Sequence, residues 1–176
     1  MSQETFMQNN IEEAKKMAKD YRLKVESRKG ISSKMALFVA VLNLIFLIAI
    51  PFLSVKYASA TMFDMFDYDG FGGLKFFYVV NWITTIVVGI VGIVVIKKAN
   101  EINWIKSHII TSLINLFTSF MLFVLHLSEV SDVSECYLWR LVPVVVGMIY
   151  FVIPVMAYIY NKAVIILETK IAEIEK

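Results

Sequence analysis

The chain has 176 residues, of which 59% carry apolar side chains, and its formal net charge is +2 at pH 7. The mean hydropathy of +0.70 is higher than that of an ordinary soluble domain. The composition therefore excludes a soluble globular domain. The single cysteine, Cys136, also excludes an intramolecular disulfide.

Four long apolar runs predict four transmembrane helices, at residues 35–55, 76–96, 108–127 and 138–160. The predicted fold class is all-α: a polytopic membrane protein with a four-transmembrane-helix bundle at residues 35–161. A cytosolic amphipathic helix precedes the bundle at residues 1–34, and a helical cytosolic extension follows it at residues 162–176. Residues 1–34 contain no apolar h-region, so we expect no cleaved signal peptide.

The distribution of positive charge predicts the topology. With the N-terminus in the cytosol, 14 of the 17 lysine and arginine residues lie on the cytosolic side. The positive-inside rule therefore predicts an integral protein of a bacterial inner membrane or a plasma membrane, with both termini cytoplasmic.

The predicted N-terminal helix carries an apolar seam with heptad spacing, formed by Ile11, Ala14, Ala18, Tyr21 and Val25. Basic residues flank the seam, which leaves two readings open. The helix packs against another cytosolic helix, or it lies on the anionic headgroups of the inner leaflet. Gly30, Ser32 and Ser33 then predict a break before the first span.

The first two spans each combine an apolar run with a few small or polar residues. Asn43 interrupts the first span, and Pro51 predicts a bend or an early stop near its outer end. One side of the second span predicts close packing against a neighbouring helix, because it carries small residues. It consists of Asn81, Thr85, Val88 and Gly92, with Gly89 adjoining. The following loop is basic and predicts a short cytosolic turn.

The third span is two-faced, because its polar residues fall in one arc of roughly 120° at about 100° per residue. The members of this arc are His108, Thr111, Ser112, Asn115, Thr118, Ser119 and His126. Hydrocarbon offers no hydrogen-bond partners, so the arc must face other helices or a water-filled space.

Depth counting from the ends of the spans predicts one intramembrane polar layer. It contains Asn43, Asn115 and Tyr150, with Ser112 and Ser119 on the same face of the third span. Two interpretations remain open: a hydrogen-bonded core that fixes which helices pair, and a hydrated path.

A cluster of charge is predicted at the outer end of the bundle, where Arg140 begins the last span. Its neighbours there are His126, Glu129, Asp132 and Glu135. The cluster is either an interfacial ion pair that closes the bundle or a ring that selects ions or binds a partner in an oligomer. His108 and His126 stand about 27 Å apart along one helix and cannot share a metal ion, so each is an interfacial or a pH-sensing histidine.

The last span is predicted to continue into a second apolar seam, formed by Leu167, Ile171 and Ile174. This seam and the N-terminal one are the predicted surfaces for oligomerisation or helix pairing.

No catalytic motif, cofactor-binding loop or metal-ligand spacing is found, so we expect neither an enzyme nor a cofactor or metal site. Acidic residues dilute the basic leader, so no nucleic-acid partner is expected. The expected partners are the lipid bilayer, further copies of the chain and another protein. The first functional reading is an oligomeric protein that forms a pore or modulates membrane permeability. The alternative is a non-conducting accessory or immunity-type protein that binds another protein, for example in a toxin or phage-defence system. A third reading is a small ion or solute transporter.

Overall fold

The computed structural model describes residues 3–54, 72–97, 103–129 and 136–175, and all of them except Glu175 are helical. The four helices are α1 (Gln3–Ser54), α2 (Gly72–Lys97), α3 (Asn103–Glu129) and α4 (Cys136–Ile174). Each is long and apolar enough to cross a membrane. The predicted all-α class with four long apolar helices is therefore confirmed for the described residues.

The helices form a bundle in which each packs mainly against two neighbours. α1 lies between α2 and α4, and α3 lies between the same two helices on the other side. α1 and α3 are therefore diagonal, with little direct contact between them. The first turns of α1 meet the last turns of α4, and we call this the terminal end of the bundle.

α1 runs without interruption through the stretch where Gly30, Ser32 and Ser33 predicted a break. That prediction is wrong: Gly30 is exposed and lies within the continuous helix, and Ser32 and Ser33 face the interior of the bundle. Ser32 and Ser33 are fully buried. A Cβ atom added to Gly92 of α2 would lie 3.1 Å from Cβ of Ala36 and 3.2 Å from the carbonyl oxygen of Ser33. Such close backbones require small side chains on both helices.

The prolines do not end their helices. α1 continues past Pro51 to Ser54, and α4 continues through both Pro143 and Pro154. Proline is tolerated in apolar helices where neighbouring helices and local adjustments satisfy the freed carbonyl groups. α4 also passes without a break from the predicted last span into the predicted C-terminal extension.

Three apolar clusters fill the interior between the polar contacts. From the terminal end they are Trp104–Ile105–Ala157, then Ala36–Val39–Val88–Tyr150, and then Leu47–Tyr78–Leu122. Large apolar side chains also face outward on all four helices, among them Phe38, Ile83, Phe117 and Val152. The bundle is thus apolar on its exterior, and its interior contains both apolar and polar layers.

Candidate functional site: a buried polar core and a terminal helix pair

The polar arc of α3 faces the interior of the bundle. His108, Ser112 and Asn115 are fully buried, and Thr118 and Ser119 are nearly so. The helical period places them on one side, and α1, α2 and α4 cover that side. The sequence left two environments open for this arc, other helices or a water-filled space. Among the described residues, the arc contacts other helices.

Asn43 joins three helices in the middle of this core. Its side-chain amide Nδ2 donates to Oδ1 of Asn115 on α3 at 3.3 Å and to Oγ1 of Thr85 on α2 at 3.4 Å. A Cβ atom added to Gly89, one turn beyond Thr85, would make an ordinary contact of 3.4 Å with Cβ of Ala40. The predicted pairing of Asn43 with Asn115 is therefore present in the structure.

Tyr150 belongs to a different layer from the one predicted. Its hydroxyl forms a hydrogen bond of 2.6 Å with Nδ1 of His108, which links α4 to α3. The ring packs with Ala36, Val39 and Val88, on the terminal side of Asn43. His108 is fully buried between the helices, and α3 begins at Asn103, more than one turn before the predicted span.

A further polar layer lies beyond Asn43, where the predicted small-residue face of the second span meets α3. Nδ2 of Asn81 on α2 donates to Oγ1 of Thr118 at 3.0 Å and to Oγ of Ser119 at 3.2 Å. Oγ1 of Thr84 lies 3.3 Å from Oγ1 of Thr118 and also donates to the carbonyl oxygen of Asn81 at 3.0 Å. The sequence placed Asn81 and Thr85 on one face, but it did not predict the hydrogen bonds of Asn81 to α3.

Some buried polar atoms lack a hydrogen-bond partner among the described residues. They are the hydroxyl oxygens of Ser32 and Ser33, Nε2 of His108 and Nδ2 of Asn115. Oγ of Ser112 donates to the carbonyl oxygen of Ile109 in its own helix at 3.0 Å. Some hydrogen-bonding groups of the core thus have no protein partner. Buried water molecules in proteins typically bind to such groups.

A small cavity separates the two amide layers. Its volume is about 20 Å³, and its polar lining comes from Asn43, Asn81 and Ser119. That volume suits about one water molecule. The polar contacts of the described core therefore hold the helices in register, and the cavity between the amide layers has space for about one water molecule.

At the terminal end, α1 and α4 extend beyond the other two helices as an antiparallel pair. We call residues 10–29 of α1 and 160–175 of α4 the terminal helix pair. The two predicted apolar seams face each other here: Ala18 and Ile171 are buried, Ile11, Ala14, Tyr21, Val25 and Leu167 are half-buried, and Ile174 is exposed. Of the two readings for the N-terminal helix, packing against another helix describes this contact, and that helix belongs to the same chain.

Two ion pairs tie the helix pair together, and a groove runs between them. Nζ of Lys15 lies 2.6 Å from Oε1 of Glu175, and Arg22 pairs with Glu168 one heptad away. The groove has a volume of about 350 Å³. Its lining consists of Lys15, Ala18, Lys19, Arg22, Glu168, Ile171, Ala172 and Glu175. One wall is therefore basic, the other is acidic, and small apolar residues lie between them.

The predicted outer-end charge cluster stays a prediction. Asp132 and Glu135 lie outside the described residues, as do the side chains of His126, Glu129 and Arg140. Within the described residues, no group of three or more His, Cys, Asp or Glu side chains is placed to hold a metal ion.

Comparison with protein-family models, with curated proteins and with solved structures gives no match for this chain.

Proposed function

We propose that this chain is a multi-pass integral membrane protein that crosses the bilayer four times, with both termini in the cytoplasm. The support comes from the four long apolar helices and from their outward-facing apolar side chains. Such an exterior is costly in water and favourable in lipid. The excess of lysine and arginine outside the apolar runs supports the cytoplasmic placement of the terminal helix pair.

Within the membrane, we propose a non-conducting accessory role, in which the protein binds another protein, as an immunity-type protein does. The single observation that carries this proposal is the burial of the α3 polar arc inside one chain. A pore or a transport path needs polar groups along a hydrated lumen. Here Asn43, Asn81 and His108 are bonded to neighbouring helices, and the cavity between the amide layers suits about one water molecule. This arrangement favours the accessory reading over the pore and transporter readings.

The terminal helix pair offers the most specific contact surface for a protein, and we propose that a second copy of the chain occupies its groove. The argument is charge complementarity. Lys15, Lys19 and Arg22 form the basic wall, and Glu168 and Glu175 form the acidic wall. Lys15 and Arg22 pair with Glu175 and Glu168 within the chain, and Lys19 has no ion-pair partner among the described residues. A copy related by a twofold axis would exchange these pairs between the chains and bring a carboxylate near Lys19. The outward face of the four-helix region remains available to another membrane protein.

Flux measurements test the non-conducting role. The purified chain is reconstituted into liposomes that contain a small fluorescent dye and a potassium gradient. We expect leakage no faster than from protein-free liposomes. Leakage that rises with protein content and changes in an Asn115→Leu variant would show that the polar arc contacts a conducting lumen, which contradicts the proposal.

Mass measurements in detergent test the second copy. We expect a dimer of the 20.1 kDa chain. The variant Lys19→Glu reverses a charge inside the groove, and we expect it to shift the dimer toward monomer. Lys16→Glu makes the same change at an exposed residue outside the groove and should leave the dimer intact. A wild-type monomer at all concentrations, or equal losses in both variants, would refute the groove contact.

A further inference from the structure

A basic and aromatic cluster lies on the terminal helix pair, close to the four-helix region. Its members are Tyr21, Lys24, Arg28 and Tyr160, and we call it the terminal cationic cluster. The rings of Tyr21 and Tyr160 stack with centroids 5.6 Å apart and an angle of 23° between their planes. Nζ of Lys24 lies 5.2 Å from the first centroid and 5.5 Å from the second. Cζ of Arg28 lies 4.6 Å from the centroid of Tyr160.

Two cations therefore converge on one aromatic platform. Lys24 and Arg28 are one helical turn apart, so their side chains leave α1 on the same face. Cation–π contact holds each group over the ring of Tyr160, while Lys24 stays exposed and Arg28 half-exposed.

The positive charge of this cluster has no counter-ion within the described part of the protein. The ion pairs found there are Lys15–Glu175 and Arg22–Glu168, and neither involves the cluster. Two like charges held near one ring repel each other, and an anion between them would replace that repulsion with attraction.

The position of the cluster indicates where such an anion comes from. Val25, next to Lys24, packs on the apolar cluster that contains Trp104 and Ala157. Ile31 and Ile159 are exposed at this level, and beyond the exposed Lys34 the outward face of α1 toward the other end of the bundle is apolar, as at Phe38 and Ile45. The cluster thus lies where the apolar exterior gives way to the charged terminal helix pair.

We infer that the terminal cationic cluster binds a phosphate group, supplied by the headgroup of an anionic phospholipid of the cytoplasmic leaflet. A guanidinium and an ammonium group donate charge-assisted hydrogen bonds to phosphate oxygens. Basic groups between helices at this face of a membrane attract anionic headgroups. The phosphate chemistry depends only on the cluster, and its assignment to a lipid rests on the proposed insertion into the membrane.

The test uses the full-length chain in a neutral detergent and phosphate-free buffer. Binding is measured from the rise in thermal denaturation midpoint as phosphatidylglycerol, phosphatidylcholine or inorganic phosphate is added. The double variant Lys24→Gln/Arg28→Gln removes the two convergent charges. The control Lys16→Gln/Lys170→Gln removes two charges at exposed positions outside the cluster.

We expect phosphatidylglycerol to stabilise the wild type and the control, and phosphatidylcholine to have little effect. The cluster variant should bind phosphatidylglycerol about tenfold or more weakly. If both double variants lose phosphatidylglycerol binding equally, the attraction is diffuse and the inference is overturned. Equal stabilisation of the wild type by phosphatidylglycerol and phosphatidylcholine would also overturn it. If inorganic phosphate alone reproduces the effect, and the effect requires Lys24 and Arg28, the phosphate site stands but its lipid source is wrong.

These outcomes are separate from those of the liposome flux assay. A chain that leaks ions yet binds phosphatidylglycerol through Lys24 and Arg28 would refute the accessory role and support the lipid site. A chain that leaks nothing and shows no preference for the anionic lipid would support the accessory role and refute the lipid site.

Discussion

The contact between Asn43 and Asn115 predicts a specific pattern in a double-mutant cycle. We consider the variants Asn43→Val, Asn115→Val and the double variant, because valine is close to asparagine in size and has no polar side-chain atoms. Asn43→Val leaves both polar atoms of a fully buried Asn115 without a partner, since Nδ2 already lacks one. Asn115→Val removes that unpaired donor, and Asn43 retains its bond to Thr85.

The expected magnitudes follow from this asymmetry. A buried polar group without a partner costs about 1–3 kcal/mol in proteins, so Asn43→Val should lower the free energy of unfolding by an amount in that range. Asn115→Val should cost less. The double variant should be less destabilised than the sum of the singles, with a coupling energy of about 0.6 kcal/mol and at most about 1.7 kcal/mol.

Reversible unfolding in mixed micelles, followed by circular dichroism, measures these free energies. The control cycle pairs Asn43→Val with Ser112→Ala, because the Ser112 hydroxyl bonds to its own helix. The control pair should be additive within about 0.5 kcal/mol. Additive effects of the Asn43 and Asn115 substitutions would refute the contact, and equal coupling in the control cycle would show that the method reports a general response of the bundle.

Three further changes test other contacts. Gly92→Ala should lower the free energy of unfolding by about 1–3 kcal/mol, because the new Cβ atom would lie 3.1 Å from Cβ of Ala36 on α1. Gly89→Ala should be nearly neutral in the same unfolding assay, because its Cβ atom would lie 3.4 Å from Cβ of Ala40. Tyr150→Phe removes the hydroxyl that bonds to the buried histidine of α3 and should cost about 0.6 kcal/mol and at most about 1.7 kcal/mol; a neutral or stabilising effect would contradict that bond. Arg22→Glu should loosen the terminal helix pair by no more than about 1 kcal/mol, since this ion pair is largely exposed, and adding Glu168→Arg should restore the loss at low salt but not at high salt.

The inward face of α3 could be predicted from the sequence because it depends only on helical period and on the cost of exposing polar groups to an apolar surrounding. The pairing of Asn43 with Asn115 also follows from their positions along the helices, because each lies at a similar distance from the end of its apolar run on the same side of the bundle. Depth counting misplaced Tyr150, because it takes the edge of the apolar run as the start of each helix and ignores the axial shift between helices. α3 in fact begins at Asn103, which carries His108 inside the bundle.

Other features lie beyond sequence pattern for a different reason. Glycine and serine at positions 30–33 signal a turn as readily as a close helix contact, and only the approach of Gly92 decides between them. The role of Asn81 depends on which side chains of α3 face it, which requires the arrangement of α2 against α3. The two heptad seams predicted a partner helix without showing that each seam would find its partner in the same chain.

The unbroken course of α1 ties the two halves of the molecule together mechanically. At about 1.5 Å per residue, its 52 residues extend about 78 Å, against a hydrocarbon thickness of about 30 Å. With no joint at Gly30, a tilt of the buried half swings the projecting half through the same angle. In the proposed membrane placement, a change in bilayer thickness that altered this tilt by a few degrees would displace the far tip of α1 by several ångströms.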